Sequence, residues 1–339
     1  MTDFRPSRTT ILLAVLLWLA CLACAANHQP ETPSDLGSPR SSDAMLAVID
    51  DPGPVGFEVV KAADWAVPLS GLINLDHPKA RAAGLEDRDE AIGVYFYVLR
   101  HPRYGTFLVD TGVEDAFRDP GGNPRIGFVL ETAMNTDALK IHTTTGEWAA
   151  AQAEPVSGVF LTHTHLDHVM GTPDLKPDVP IYSGPGEPDA SAFLYMFTSG
   201  TIDRMLEGKG GLRVWPFQPD PAGRFAGVVD IFGDGSVWAL HVPGHTPGST
   251  AYLVRTPKGT QLLVGDASHT VWGWNHGVEP GTFSYDQPRS AESLANLRAL
   301  VADHPGIHVY LGHQQFDDVE TSSAGSSRVA EAAGDDGLR

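Results

Sequence analysis

Cysteine is nearly absent from this chain of 339 residues, which contains only Cys21 and Cys24. Both lie in the first 26 residues, so the rest of the chain offers no disulfide, no thiolate metal ligand and no thiol nucleophile. Positive charge is also scarce: 23 Lys and Arg stand against 42 Asp and Glu, and the formal net charge is −19. A nucleic-acid backbone would be repelled, so no nucleic-acid partner is expected. Phosphoester chemistry stays open, because bound cations would invert the charge inside a pocket.

The first 26 residues have the pattern of a secretory signal. Arg5 and Arg8 precede an apolar run over residues 11–20, and small residues follow that run. The run is too short for a convincing membrane span. We therefore expect residues 1–26 to be a signal peptide and the protein to be exported.

The two cysteines at the end of the apolar run favour a bacterial lipoprotein, with Cys21 or Cys24 as the lipidated residue and point of membrane attachment. Simple cleavage after Ala25 or Ala26 is the alternative, and would leave the protein in the periplasm. The following stretch is rich in Pro and Ser, as flexible linkers are. The expected organisation is a flexible tether over 27–50, a folded domain over 51–316 and a polar acidic tail over 317–339.

Apolar runs bounded by Gly, Pro and Asp predict an α/β domain rich in short strands. The predicted strands are 57–60, 93–99, 106–109, 158–162, 179–182, 212–216, 237–242, 250–254, 261–264 and 307–311. Two stretches, 190–206 and 289–301, have helical patterns, and Asp286 or Ser290 is the candidate cap of the second.

Histidines and aspartates come directly after the predicted strands. The cluster over residues 163–168 follows one strand, and Asp110, His245, Asp266 and His313 each follow another. Strand ends along one edge of a sheet can converge on a single site, as they do in other layered α/β folds.

Seven of these side chains are candidate metal ligands: His163, His165, Asp167, His168, His245, Asp266 and His313. Imidazoles and carboxylates without thiolates suit zinc or another first-row divalent metal. Seven ligands are too many for one tetrahedral ion, and they suit two ions that share a bridging carboxylate. A solvated loop or a core network is the alternative, but either would crowd unsatisfied polar groups together.

The stretch THTHLDH at 162–168 resembles the HxHxDH signature of the metallo-β-lactamase fold superfamily. Four further motifs follow the family's order: LVDTG with Asp110, GHTPGS with His245, GD with Asp266 and GH with His313. The resemblance covers roughly residues 55–316. It implies a four-layer αββα sandwich with two metal ions, expected to be Zn²⁺, at one edge of its sheets.

The resemblance also implies a division of the ligands. His163, His165 and His245 would hold the first ion, Asp167, His168 and His313 the second, and Asp266 would bridge them. Asp110 would support the site by holding a ligand's free N–H. The implied reaction is attack on a carbonyl or phosphoryl group by water activated between the ions. Asp167 would orient the nucleophile or pass a proton to the leaving group.

The layout is most similar to N-acyl homoserine lactonases, in which a Tyr three residues after the bridging Asp contacts the lactone carbonyl oxygen. Here His269 holds that position, where it could donate to a developing oxyanion or be a supporting residue. The expected partner is therefore a small hydrophobic ester or lactone. The candidate aromatic and Met lining comprises Met134, Trp148, Phe193, Tyr195, Met196, Phe197, Trp272, Trp274, Phe283 and Tyr285.

Other substrates remain possible in the same fold: phosphotriesters or phosphodiesters, β-lactams and thioesters. The absence of a basic cluster near the motifs disfavours nucleotide and glutathione substrates. A metal-binding surface protein without turnover is the alternative from another class, and the complete ligand set argues against it.

Overall fold

The computed structural model describes residues 28–118, 125–126, 138–188 and 195–317, and the backbone alone for 195–199. Its strands are β1 (Glu31–Pro33), β2 (Ser38–Arg40), β3 (Gly56–Pro68), β4 (Asp89–His101), β5 (Gly105–Val109), β6 (Lys140–Ile141), β7 (Val156–Phe160), β8 (Ile181–Ser183), β9 (Leu212–Val214), β10 (Gly227–Asp230), β11 (Val237–His241), β12 (Thr250–Thr256), β13 (Gly259–Leu263) and β14 (His308–Tyr310). Its helices are α1 (Ser42–Leu46), α2 (Leu69–Leu72), α3 (Pro78–Ala82), α4 (Thr145–Ala150), α5 (Leu166–Val169), α6 (Tyr195–Met205), α7 (Val271–His276) and α8 (Gln287–Asp303). Short 3₁₀ turns cover Asp115–Phe117, Thr172–Asp174 and Gly265–Ala267.

The strands of the described residues form two sheets. One has eight strands in the order β1-β9-β8-β7-β5-β4-β3-β6, and the other has six in the order β14-β13-β12-β11-β10-β2. In the first sheet, β7 runs parallel to both β5 and β8. In the second, β14 runs parallel to β13. Parallel neighbours bring their carboxyl ends to the same edge, which is where the ligand-bearing segments begin.

Alternation along the strands builds the core, because successive side chains point to opposite faces of a sheet. In β4, Tyr95 and Tyr97 pack between the two sheets, whereas Phe96 and Val98 face the other way toward α5 and α6. The outer face of the second sheet packs against α1 and α8. The layers are therefore helix, sheet, sheet and helix, which confirms the expected αββα sandwich.

Helix α8 shows why its sequence forms a helix. Leu294, Leu297 and Leu300 recur at helical spacing and are 1%, 0% and 0% exposed. The Asp286 side chain accepts a hydrogen bond from the Arg289 N–H at 3.0 Å and so caps the first turn, as predicted. Among the residues that the structure describes, no helix combines the length and the apolar character needed to cross a bilayer.

The flexible tether expected over residues 27–50 is wrong for the described part of that stretch. Strand β1 pairs with β9 and β2 pairs with β10, so this segment extends both sheets. Met45 of α1 and Ile49 after it are 0% exposed in the core. Two of the Pro residues that suggested a linker, Pro33 and Pro39, lie in edge strands, where a missing N–H is tolerated. The domain therefore starts before residue 51.

Two further sequence predictions need correction. Strand β3 continues well past the predicted 57–60, since it pairs with β4 along its length across a bulge between Lys61 and Ala63. Strands β6 and β10 were not predicted. The helix predicted over 190–206 is described from Tyr195 to Met205. The predicted signal over 1–26 and nearly all of the 317–339 tail lie outside the described residues.

Candidate metal centre and active site

The segment that follows β7 directs four side chains toward one point. The strand ends at Phe160 and α5 begins at Leu166, with His165 in extended backbone at the N-cap. His163 and His165 lie on the segment between β7 and α5, and Asp167 and His168 lie in α5.

The other ligands come from the second sheet. His245 follows β11, Asp266 lies in the 3₁₀ turn after β13, and His313 follows β14. Gly312 permits this approach, because a Cβ at that position would lie 2.1 Å from Asp266 Oδ1. Any side chain at 312 would displace the Asp266 carboxylate, which explains glycine there.

Asp266 lies at the centre of the assembled cluster and is 5% exposed. Five imidazole Nε2 atoms surround its Oδ2: His269 at 3.1 Å, His168 and His245 at 3.3 Å, His313 at 3.4 Å and His163 at 3.5 Å. Asp167 Oδ2 lies 3.2 Å from His313 Nε2, and His165 Nδ1 lies 2.8 Å from His245 Nε2. All seven side chains predicted as ligands are brought together, and His269 joins them.

In two of the histidine rings, the hydrogen-bond partner of Nδ1 determines which ring nitrogen carries the proton. His168 Nδ1 is 2.9 Å from Asp110 Oδ2, and His313 Nδ1 is 3.0 Å from the Gly93 carbonyl. Both partners accept hydrogen bonds, so Nδ1 is the protonated nitrogen in each ring. In the neutral ring, Nε2 then directs a lone pair toward the Asp266 carboxylate. A lone pair facing a carboxylate is repulsive unless a cation lies between them.

The shifted pKa values follow from burial and from these neighbours. Burial lowers the pKa of His163 and His165 well below 6.5, and lowers that of His245 to about 4. Although burial opposes it, the nearby carboxylates, Asp266 first, raise the pKa of His313 to about 10. Burial would raise the pKa of Asp266, but the surrounding imidazoles hold it well below 3.8. Burial therefore leaves His163, His165 and His245 unprotonated beside an ionised Asp266 at neutral pH, whereas the carboxylates keep His313 protonated until a cation takes the place of its proton.

These residues fit a pair of divalent cations. Their donor atoms form two groups whose members lie within 4.8 Å of one another: His163, His165, His245 and Asp266 in one, and Asp167, His168 and His313 in the other. Within the described residues, His163 Nε2, His168 Nε2 and Asp266 Oδ1 are buried without a hydrogen-bond partner. Buried polar atoms are almost always satisfied, so three orphans facing one point indicate ligands to a metal.

Asp110 supports the centre from behind, in agreement with its predicted place. One of its oxygens accepts from the Thr162 N–H at 2.8 Å, and the other contacts His168 Nδ1 at 2.9 Å. Its φ of 57° is the single positive value recorded for a non-glycine residue in the described chain. Asp tolerates this left-handed conformation better than most residues, and the strain is typical of functional sites.

Glu187 is a supporting residue that the sequence did not indicate. Its side chain is 0% exposed and accepts four hydrogen bonds. The donors are the Thr164 N–H at 2.9 Å, the Thr164 hydroxyl at 2.7 Å, the Thr246 hydroxyl at 2.6 Å and the Gly248 N–H at 2.9 Å. Burial raises the pKa of Glu187, and these donors oppose that shift. Glu187 thus connects the loop of His163 and His165 to the loop of His245.

A cavity of about 140 Å³ opens over the cluster. Its polar floor is His165, Asp167, Asp266, His269 and His313, and its apolar wall is Trp65, Val67, Leu72, Ile92, Leu166 and Phe283. No Lys or Arg belongs to the part of the lining that the structure describes. A larger cavity of about 730 Å³ shares Ile92 and His313 with the first and includes Trp272.

The aromatic mouth predicted from the sequence is partly present. Phe283 lines the first cavity and Trp272 the second. Trp148 and Trp274 are core residues, each 7% exposed, and Tyr285 is 45% exposed away from both linings. The remaining candidates, Met134, Phe193, Tyr195, Met196 and Phe197, lie outside the described side chains. Five of the six wall residues were missed: four lie in no recognisable motif, and Leu166 lies within the HxHxDH stretch at a position that the motif leaves open.

Comparisons with known proteins agree with this geometry. The model of the metallo-beta-lactamase superfamily matches residues 90–313. The N-acyl homoserine lactonase AttM of Azorhizobium caulinodans is 30% identical over 229 residues, 66% of this chain and 83% of that protein. A variant of B. thuringiensis AiiA, solved with N-decanoyl-L-homoserine at its active site, has a TM-score of 0.56 and 18% identity, covering 80% of this chain and 96% of that one.

The dizinc quorum-quenching lactonase AidC, solved with a product, has a TM-score of 0.54 and 14% identity, covering 84% of this chain and 92% of that one. These structures share the sandwich with this chain. The family model spans most of both sheets and every ligand segment from Asp110 to His313. The chain belongs to the metallo-beta-lactamase superfamily.

Proposed function

We propose that this protein is a lactonase-like hydrolase that holds two divalent metal ions, expected to be Zn²⁺, and opens lactones or related esters. The observation that carries the proposal is the His and Asp cluster lying directly beneath an uncharged, apolar cavity wall. Sequence similarity to proteins named N-acyl homoserine lactonases supports the choice of substrate. The dizinc relative supports the choice of metal.

The ligand residues would be His163, His165 and His245 for one ion, Asp167, His168 and His313 for the other, with Asp266 between them. When bound, the ions supply Lewis-acid polarisation of the substrate carbonyl and lower the pKa of water.

Asp167 is the carboxylate that substrate can reach. Its side chain is 18% exposed at the cavity, whereas that of Asp266 is 3% exposed. Burial opposes the shift, but His168 and His313 hold the pKa of Asp167 well below 3.8, so it is ionised at neutral pH. It can accept a proton from the attacking water and return it to the leaving alkoxide.

The apolar wall determines which substrates fit. It would bury the hydrocarbon part of an ester and leave the reacting carbonyl over the polar floor. Each additional buried CH₂ contributes about 0.8 kcal/mol, or roughly a fourfold gain in kcat/KM while the chain still fits. Away from the proposed metal ions, an anionic group of a substrate would find no Lys or Arg in the described lining of the smaller cavity, which disfavours phosphodiesters and glutathione thioesters.

Proton release by the purified protein tests the proposal. The substrates would be homoserine lactones of increasing acyl length, a δ-lactone, a thioester, a β-lactam and a phosphotriester. We expect chelator-sensitive hydrolysis of the lactones, rising with acyl length and restored by Zn²⁺. The control is protein that passes through the same steps without chelator and is then incubated with Zn²⁺. Preferred turnover of the phosphotriester or the β-lactam would reject the lactone assignment, and turnover unaffected by chelation would reject the metal mechanism.

Export is part of the same proposal. We propose that the signal within residues 1–26 is cleaved directly before Cys21 or Cys24 and that this cysteine carries lipid. Intact mass of the membrane fraction from a bacterial host is expected to show a chain that begins at one of these cysteines with added acyl mass. A soluble chain starting after Ala25 or Ala26 would support simple cleavage, and an unprocessed chain would reject export.

A further inference from the structure

His269 makes two close contacts that the proposed function does not explain. It follows the 3₁₀ turn of Asp266 and is 1% exposed, at the position for which the sequence resemblance implied a donor to the substrate. Its Nδ1 is 3.0 Å from the Leu72 carbonyl oxygen, and its Nε2 is 3.1 Å from Asp266 Oδ2. Both ring nitrogens are therefore directed at protein acceptors, and neither has an N–H available for a substrate oxygen.

The protonation of His269 follows from the Leu72 contact. A carbonyl oxygen only accepts, so Nδ1 must carry the proton. Its Nε2 then faces the carboxylate of Asp266, as the Nε2 atoms of His168 and His313 also do. The rings of His269 and His313 are nearly parallel, with an interplanar angle of 13° and centroids 5.5 Å apart. His269 repeats the donor geometry of the residues that the family pattern assigns to the metal.

The competing arrangement is a direct hydrogen bond from His269 Nε2 to Asp266. It is disfavoured by crowding, because four other Nε2 atoms already lie within 3.5 Å of the same oxygen. A carboxylate oxygen offers about two lone pairs, so it cannot satisfy five ring donors. A shared cation removes the conflict, since each lone pair and the carboxylate are then attracted to the same charge.

We propose that His269 is a sixth imidazole ligand of the metal centre, acting with Asp266 and His313, and not a donor to the substrate. The donor atoms of these three residues lie within 4.8 Å of one another. The inference rests on the proposed function, because it needs two ions to bind. It adds a nitrogen to the second ion, which suits metals that accept five ligands.

Cobalt substitution of the full-length protein tests the inference without any substrate. Co²⁺ shifts the ring N–H proton of each bound imidazole far outside the normal proton NMR range, and the signal disappears in D₂O. Six histidines belong to the candidate groups, so we expect six shifted, exchangeable resonances with two Co²⁺ bound. Five resonances with two Co²⁺ bound would overturn the inference and leave the proposed function standing. Failure to bind two Co²⁺ would overturn both.

His269→Asn removes the Nε2 donor while its amide can still reach the Leu72 carbonyl. We expect one resonance to disappear and the affinity for one of the two ions to fall at least roughly 10-fold, the lower end for outer-shell partners. His276→Asn is the matched control, because His276 Nδ1 also faces a backbone carbonyl, Trp272 O, at 2.9 Å, without a carboxylate at Nε2. Unchanged resonances and affinities in His269→Asn would contradict the inference. If that variant fails to fold, the wild-type resonance count decides.

Discussion

Replacing Asp266 by Asn is expected to reduce bound metal from two ions to one or none and to lower kcat/KM by more than about 10²-fold, the upper range for loss of an outer-shell partner. The carboxylate is the shared centre of the cluster, with five imidazole nitrogens within 3.5 Å of one oxygen. An amide has nearly the same shape but no charge, so it removes the attraction for both cations. Metal content after dialysis and lactone turnover are the measurements.

Asp230→Asn is the matched control for that prediction. Asp230 is similarly buried at 4% exposure, but its carboxylate accepts from the N–H groups of Gly233 and Gly235. We expect a loss of stability with two ions still bound. If Asp266→Asn retained both ions at wild-type affinity, Asp266 would not be the bridging ligand.

Replacing Glu187 by Ala is expected to lower the free energy of unfolding by about 3–5 kcal/mol. Four donors lose their acceptor, and each buried donor without an acceptor costs about 1–3 kcal/mol before the surrounding chain relaxes. The corresponding fall in Tm is roughly 10 °C. Metal affinity should fall as well, since Glu187 connects the loops of His163, His165 and His245. Thermal unfolding of metal-free and metal-loaded protein measures both effects.

The metal-free protein separates the two roles of Glu187. Its loss of stability should persist without metal, because the hydrogen bonds join protein groups alone. Glu279→Ala is the control, since Glu279 is 7% exposed and its carboxylate accepts a hydrogen bond from the Asn74 side chain at 2.6 Å. We expect a smaller loss there and unchanged metal binding. A Glu187→Ala protein as stable as Glu279→Ala would contradict the assigned role.

The candidate metal ligands could be predicted from the sequence because the pattern that marks each one lies within a short stretch of the chain. His163 to His168 are close along the chain, and each distant ligand directly follows an apolar strand. Parallel pairing of β7 with β5 and of β14 with β13 then brings those strand ends together. The apolar runs predicted an α/β domain rich in short strands, and the resemblance of the motifs to the metallo-β-lactamase fold implied the sandwich.

Glu187 and the cavity wall could not be predicted because their roles depend on long-range packing. A Glu in a polar turn normally faces solvent, and only the docking of residues 164 and 246–248 buries it. Trp65 and Val67 lie in the part of β3 beyond the bulge, where Lys61 and Asp64 interrupt the apolar alternation. The edge strands β1 and β2 were missed because three-residue strands containing Pro resemble a linker.

The edge strands β1 and β2 affect the order in which the chain can fold. Thr32 contacts the Leu212 carbonyl 180 residues away, and Ser42 contacts Asp220, 178 residues away. Contacts of such sequence separation carry a large loop-closure entropy and slow folding. A chain emerging amino end first must therefore keep this segment unpaired until more than half of the molecule has followed. Until β1 and β2 pair, β9 and β10 are edge strands that other chains can bind, which favours aggregation. The pairing of β1 and β2 is therefore a late event of folding.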